Sequence, residues 1–239
     1  FVTYFLFNPF GVNPFLSALV SGPTFFVVGL VVYKFLVRRT VGMPELISLL
    51  LTFGISIFIV NAAILAWTPD IRAVGYTLPS LSFGDLIIPL SRLSTFIVAV
   101  LLTLSYYIFL TKTYFGKAIR ALTQNYQAAH LVGINTERVS MISFGLGLAF
   151  AATAGSINTV ANPALTPMIG THYILRTFAV VVLGGVGSPF GALAGGFLLA
   201  LAESLATVYW HAEASVVVAF LVLLLTLYLK PSGLLGRKE

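Results

Sequence analysis

No cysteine occurs in the chain, which excludes disulfides and thiolate-bound metal. Charge is nearly as scarce, at 8% of 239 residues, with 13 basic side chains against 7 acidic ones. His130, His172 and His211 are scattered, no HExxH run occurs and no two intramembrane carboxylates are paired, so metal, nucleophile and acid–base constellations are missing. A membrane-embedded enzyme therefore finds little support. What fills the chain instead is apolar: 59% hydrophobic residues and a mean hydropathy of +1.02. Such a surface is unfavourable in water and is accepted by a bilayer. The expected fold is all-α, a polytopic transmembrane helix bundle contacting membrane lipid. The net charge of +6 then marks cytosolic loops rather than a nucleic-acid partner.

Taken in order, the apolar runs predict spans near 15–37, 46–67, 93–110, 141–160, 168–186, 192–208 and 214–229, within a single transmembrane domain over 1–239. Pro23 falls inside the first, while Pro163, Pro167 and Arg176 make the fifth short and interrupted. Residues 68–91 are polar and punctuated by Pro and Gly, as in a folded extracytoplasmic loop, where Asp70 and Asp85 are placed to offset nearby arginines. Alternating the spans puts Lys34, Arg38, Arg39, Lys112, Lys117, Arg120, Arg138, Lys230, Arg237 and Lys238 on one side, which the positive-inside rule makes the cytosol. The C-terminus is then cytosolic and Phe1 extracytoplasmic. The chain starts without Met, already inside an apolar run, so N-terminal residues are expected to be missing.

Between two long apolar runs lies the stretch that is not simply greasy, residues 116–138. Ile119, Leu122, Ala129 and Leu131 recur at roughly helical spacing among Lys117, Arg120 and Arg138, predicting a short cytosolic helix with one wet and one apolar face. Gly147, Ala151 and Gly155 repeat every fourth position, as do Gly187, Gly191 and Gly195, and both stripes predict close helix packing. A nucleotide-binding glycine loop at 185–191 is rejected, because no strand precedes it and the residues around it are membrane-spanning. Glu203 and Arg176 are charges inside spans, each either a structural partner or a pathway residue. Asn61 and Asn158 are expected to bond between helices, Asn158 with a possible pathway role.

The segment from Gln127 to Gly133, QAAHLVG, resembles the E-A-A-x-x-x-G cytoplasmic loop of ABC-importer permeases. Its neighbours Gly116, Arg120, Ala121, Leu131 and Ile134 sharpen the likeness to permeases for branched-chain amino acids. Residues 182–191 (VLGGVGSPFG), with Gly195, Gly196 and Glu203, and the ending PSGLLG at 231–236 also resemble that family, more its LivH-type than its LivM-type member. Gln124, Asn125 and Gln127 stand where the family usually carries acidic residues, and the family's N-terminal helix is absent.

The resemblance implies a permease subunit of an ABC importer of branched-chain or related amino acids in a bacterial or archaeal plasma membrane. Gly116, Arg120, Gln127, Ala128, Ala129 and Gly133 would form the surface that docks an ATPase subunit. The implied partners are a second, LivM-like permease, two ATPase subunits and an extracytoplasmic substrate-binding protein. No cofactor would be bound by this chain, ATP and Mg being held by the ATPases. The residues alone also admit an ion-coupled secondary transporter using Glu203 and Arg176.

Overall fold

Helix ends follow from local side-chain chemistry, and the apolar runs between them fill the helices. The computed structural model describes residues 1–83, 86–185, 188–209, 214–230 and 233–234. In order, its helices are α1 (Val2–Phe10), α2 (Pro14–Phe35), α3 (Glu45–Trp67), α4 (Leu90–Lys112), α5 (Tyr114–Gln124), α6 (Tyr126–Leu131), α7 (Thr136–Ala161), α8 (Ile169–Gly184), α9 (Pro189–Tyr209) and α10 (Ala214–Leu229). Asn13 starts α2 by accepting the Phe15 N–H at 3.0 Å, with Pro14 in the first turn, where its missing N–H costs nothing. The same helix runs on through Pro23.

Five helices are long and apolar enough to cross a membrane: Pro14–Phe35, Leu46–Trp67, Leu90–Lys112, Thr136–Ala161 and Pro189–Tyr209. At 1.5 Å per residue each exceeds the ~30 Å hydrocarbon layer. The chain is thus an all-α, multi-pass membrane protein. The runs expected near 168–186 and 214–229 form helices of only 16 residues each.

The described residues gather into two compact units, one of residues 1–99 and 112–168, the other of 100–111 and 169–239. The first is built on α2 and α7, which lie antiparallel. A Cβ on Gly29 would fall 2.7 Å from the Gly145 Cα, and one on Gly22 would fall 2.9 Å from the Thr153 hydroxyl. Backbones this close gain dispersion contacts that lipid cannot match. Ser21 and Ser156 share a buried 2.7 Å hydrogen bond across the seam, and the Tyr33 and Phe144 rings meet at 6.0 Å. Arg38 and Glu137 pair at 3.0 Å at one end.

At the other end the first part of the connection after α3 folds back on the helices through Arg72 and Tyr76. β1 (Arg72–Ala73) pairs antiparallel with β4 (Ala164–Leu165), Arg72 opposite Leu165, and β2 (Ser80–Phe83) pairs with β3 (Leu86–Pro89). Val74 is fully buried, and the Asn13 amide donates to the Tyr76 hydroxyl at 3.1 Å. Asp70 does not offset Arg72: its carboxylate accepts from the Thr68 hydroxyl, while Arg72 donates to the Trp67 carbonyl at 2.9 Å and lies over the Tyr4 ring. Asp85 lies outside the described residues.

Two sets of residues expected at helix contacts meet no other helix within this unit. Nothing within 4 Å would meet a Cβ on Gly147 or Gly155, and Ala151 is exposed. The reason is helical phase. Gly145, Ala149 and Thr153 also repeat every fourth residue and take the α2 contact, and a stripe two positions away is rotated by roughly 200° to the opposite side. Asn61 bonds no other helix in this unit; its amide donates to the Ile57 carbonyl of α3 itself at 2.9 Å.

In the second unit Ala179 and Leu183 of α8, Leu199 of α9, and Ala219 and Leu223 of α10 form the core. Gly184 and Gly191 touch so closely that a Cβ on either would overlap the other's backbone, and one on Gly195 would fall 2.9 Å from the Gly184 nitrogen.

Opposite signs are expected for the same substitution on the two stripes of α7 and its partner. Gly29→Ala forces the helices apart and destabilises by about 1–3 kcal/mol, whereas Gly147→Ala, with open space around it, is neutral or stabilising by up to roughly 1 kcal/mol. Thermal unfolding of the purified chain in detergent reads the difference.

Candidate functional site

Three polar side chains in succession turn the stretch after α4 into rigid pieces. Thr113 accepts the Gly116 N–H at 3.0 Å, Asn125 that of Ala128 at 2.9 Å and Asn135 that of Arg138 at 3.0 Å, each capping a helix start. The single helix expected over 116–138 is therefore two helices, α5 and α6, and the first turn of α7. The break falls at Asn125, extended at φ −157°, ψ 108°, which ends one helix and caps the next.

Gly133 closes α6. Its N–H reaches the His130 carbonyl and the Ile134 N–H reaches the Ala129 carbonyl, both at 3.1 Å, a Schellman closure that requires φ > 0. Gly133 supplies it at φ 84°, where a Cβ would be strained.

These caps decide which side chains face outward. Gly116 and Ala129 are buried and hold the helices against their own unit, whereas Arg120, Gln127, Ala128 and Gly133 are exposed. Leu131, expected on the inner face with Ile119 and Ala129, is 85% exposed, and Val132 beside it is 76% exposed. Sequence reasoning missed Val132 and misplaced Leu131, although two adjacent large apolar residues ending a helix of six cannot share one buried face. The result is a small outward surface of Gln127, Ala128, Leu131 and Val132 on a doubly capped helix. A cleft of about 360 Å³ is lined by Tyr33 of α2, Ile119 and Leu122 of α5, Tyr126 of α6, and Ser140 and Phe144 of α7.

In the second unit, Arg176 of α8 and Glu203 of α9 form one site: Nε lies 3.1 Å from Oε1. Each charge alone would be costly within a span, and pairing offsets part of that cost. Gly191 and Gly195 lie in the tight contact with Gly184, while Gly187 lies outside the described residues. Two motifs far apart in sequence also meet. Gly233, at φ 75°, abuts Gly185, and the Leu234 N–H donates to the Leu183 carbonyl at 2.8 Å. Asn158 belongs to the first unit, where it accepts from the Asn162 amide at 3.1 Å. Among the described residues no group of three His, Asp or Glu side chains is placed to hold a metal ion.

Five helices long and apolar enough to cross a membrane, with a capped amphipathic connection between two of them, define a multi-pass membrane protein. The family model described as "Branched-chain amino acid transport system / permease component" matches residues 1–227, and the chain belongs to that family. It is 37% identical over 212 residues to the high-affinity branched-chain amino acid transport system permease protein LivH of Salmonella typhimurium, covering 84% of this chain and 68% of that protein. Its identity to the corresponding BraD protein of Pseudomonas aeruginosa is 32%, over 83% of this chain and 66% of that one. A probable branched-chain amino acid transport permease protein LivH of Methanocaldococcus jannaschii is 30% identical over 99% of this chain and 79% of its own length. No solved structure matches. As a permease component the chain is a transport subunit and not an enzyme.

The caps should be measurable. Asn125→Ala removes an N-cap worth about 0.5–2 kcal/mol, and Gly133→Ala adds roughly 1 kcal/mol of left-handed strain that Gly133→Asn largely avoids. Hydrogen exchange at α6 is expected to accelerate in the two alanine variants and much less in the asparagine variant.

Proposed function

We propose that this chain is a membrane subunit of an ABC importer that moves branched-chain or related amino acids inward, driven by ATP and Mg bound on separate ATPase subunits. A second, LivM-like permease and an extracytoplasmic substrate-binding protein complete the assembly. The observation that carries the reading is the outward surface of α6. Leu131 and Val132 are too exposed to serve this chain's own core, and a short helix with an apolar tip suits a groove in a soluble partner.

Docking is productive only if α6 binds the ATPase states unequally. Its two caps make it a stiff lever, and its closing glycine leads directly into Asn135, the cap of α7. Motion imposed on α6 therefore reaches the α2–α7 pair. Arg120 and the small Ala128 surface add contact without the acidic residues usual in the family. The basic residues of this connection and of the C-terminal stretch support a cytosolic location for both.

Leu131→Glu combined with Val132→Glu is expected to abolish co-purification of the ATPase subunits while leaving the unfolding midpoint of the permease unchanged. Normal recruitment would remove α6 from the docking role. A cysteine replacing Tyr126 should resist an impermeant thiol reagent applied outside intact cells; labelling from outside would reverse the orientation.

Uptake by the reconstituted assembly should require ATP on the cytosolic side. Uptake driven by an ion gradient alone would establish an ion-coupled carrier instead.

A further inference from the structure

The Arg176–Glu203 pair is poorly made for a purely structural ion pair. A guanidinium meets a carboxylate best through two parallel N–H···O bonds, but the contact here is Nε against Oε1 at 3.1 Å. The approach lacks hydrogen-bond geometry, so Glu203 Oε1 is buried without a hydrogen-bond partner. The Arg176 side chain remains 40% exposed, against 17% for Glu203, so the arginine fork is accessible while the carboxylate is largely enclosed. Gly184 and Gly191 lock the α8–α9 turn, and the pair sits roughly two to three helical turns from that lock, well within the helices.

We propose that this pair is a transient binding site for the charged backbone of a zwitterionic α-amino acid, whose carboxylate takes the Arg176 fork while its ammonium donates to Glu203. The inference rests on the substrate class given above and adds where that substrate is recognised. A free α-amino acid carries both charges on one carbon, so one ligand completes both half-satisfied groups. The pair and the ligand are each neutral, so occupancy brings no net charge into a region where charge is costly. Neither side chain touches the ligand's own side chain in such a pose, so the site accepts any apolar α-amino acid delivered to it.

The test uses the complete assembly in proteoliposomes with ATP supplied, [³H]leucine as probe, and partner co-purification as the readout of folding. Arg176→Lys keeps the charge and loses the fork; Glu203→Gln keeps the shape and loses the charge. Both are expected to assemble normally and to lower leucine uptake at least about tenfold, the loss of one charge-assisted contact. Arg176→Glu combined with Glu203→Arg keeps the pair neutral but exchanges its ends, and is expected to assemble without restoring uptake.

Unimpaired uptake by the lysine variant, or uptake restored by the exchanged pair, would make the pair a device for neutralising charge and overturn the inference alone. If the unaltered assembly takes up none of leucine, isoleucine and valine, the substrate reading falls and this inference with it.

Discussion

Contact between two glycine backbones, Gly29 of α2 and Gly145 of α7, is the constraint on which the first unit depends. In a bilayer the apolar side chains of a helix are as well solvated by lipid tails as by each other, so association must come from close packing and from polar groups that lipid cannot satisfy. The α2–α7 seam supplies both. Missing side chains let the backbones touch, Ser21 and Ser156 bond where the helices are buried together, and polar ends are held by Arg38–Glu137 and by the Asn13–Tyr76 contact. With that register set, β1 and β4 are brought opposite each other.

The same economy recurs in the second unit. Gly184, Gly191 and Gly195 leave room for a tight α8–α9 turn, and Gly233 returns from beyond α10 to lie on Gly185. Leu234 seals it with a backbone hydrogen bond to Leu183. The C-terminal motif thus acts as a strap over the glycine-rich one, a relation that neither motif announces. Against this packed background the Arg176–Glu203 contact stands out as incompletely satisfied, and α6 stands out as apolar where its own unit does not cover it.

Much of the helical layout was legible in the chain. The runs from Leu46 to Trp67 and from Met141 to Val160 are apolar and uncharged, and helices form over both. The polar stretch after α4 was also recognisable as amphipathic. Less legible was its division at Asn125, although an Asn immediately before an apolar-periodic run is a cap signal. Gly133 reads in the sequence as a small surface residue, yet its conformation makes it first a helix terminator.

Which of two equally spaced small-residue stripes on α7 meets α2 was not legible at all, because periodicity carries no phase. Composition and order alone therefore determined that this protein is a multi-pass helical membrane protein with an amphipathic polar connection, since solubility in lipid and helical periodicity are local properties. Only the tertiary structure decided that Gly145 rather than Gly147 is the contact, that Leu131 faces out, and that Arg176 meets Glu203. Each of those depends on how one helix is rotated against another, and that rotation is set by the closest approach the whole seam permits.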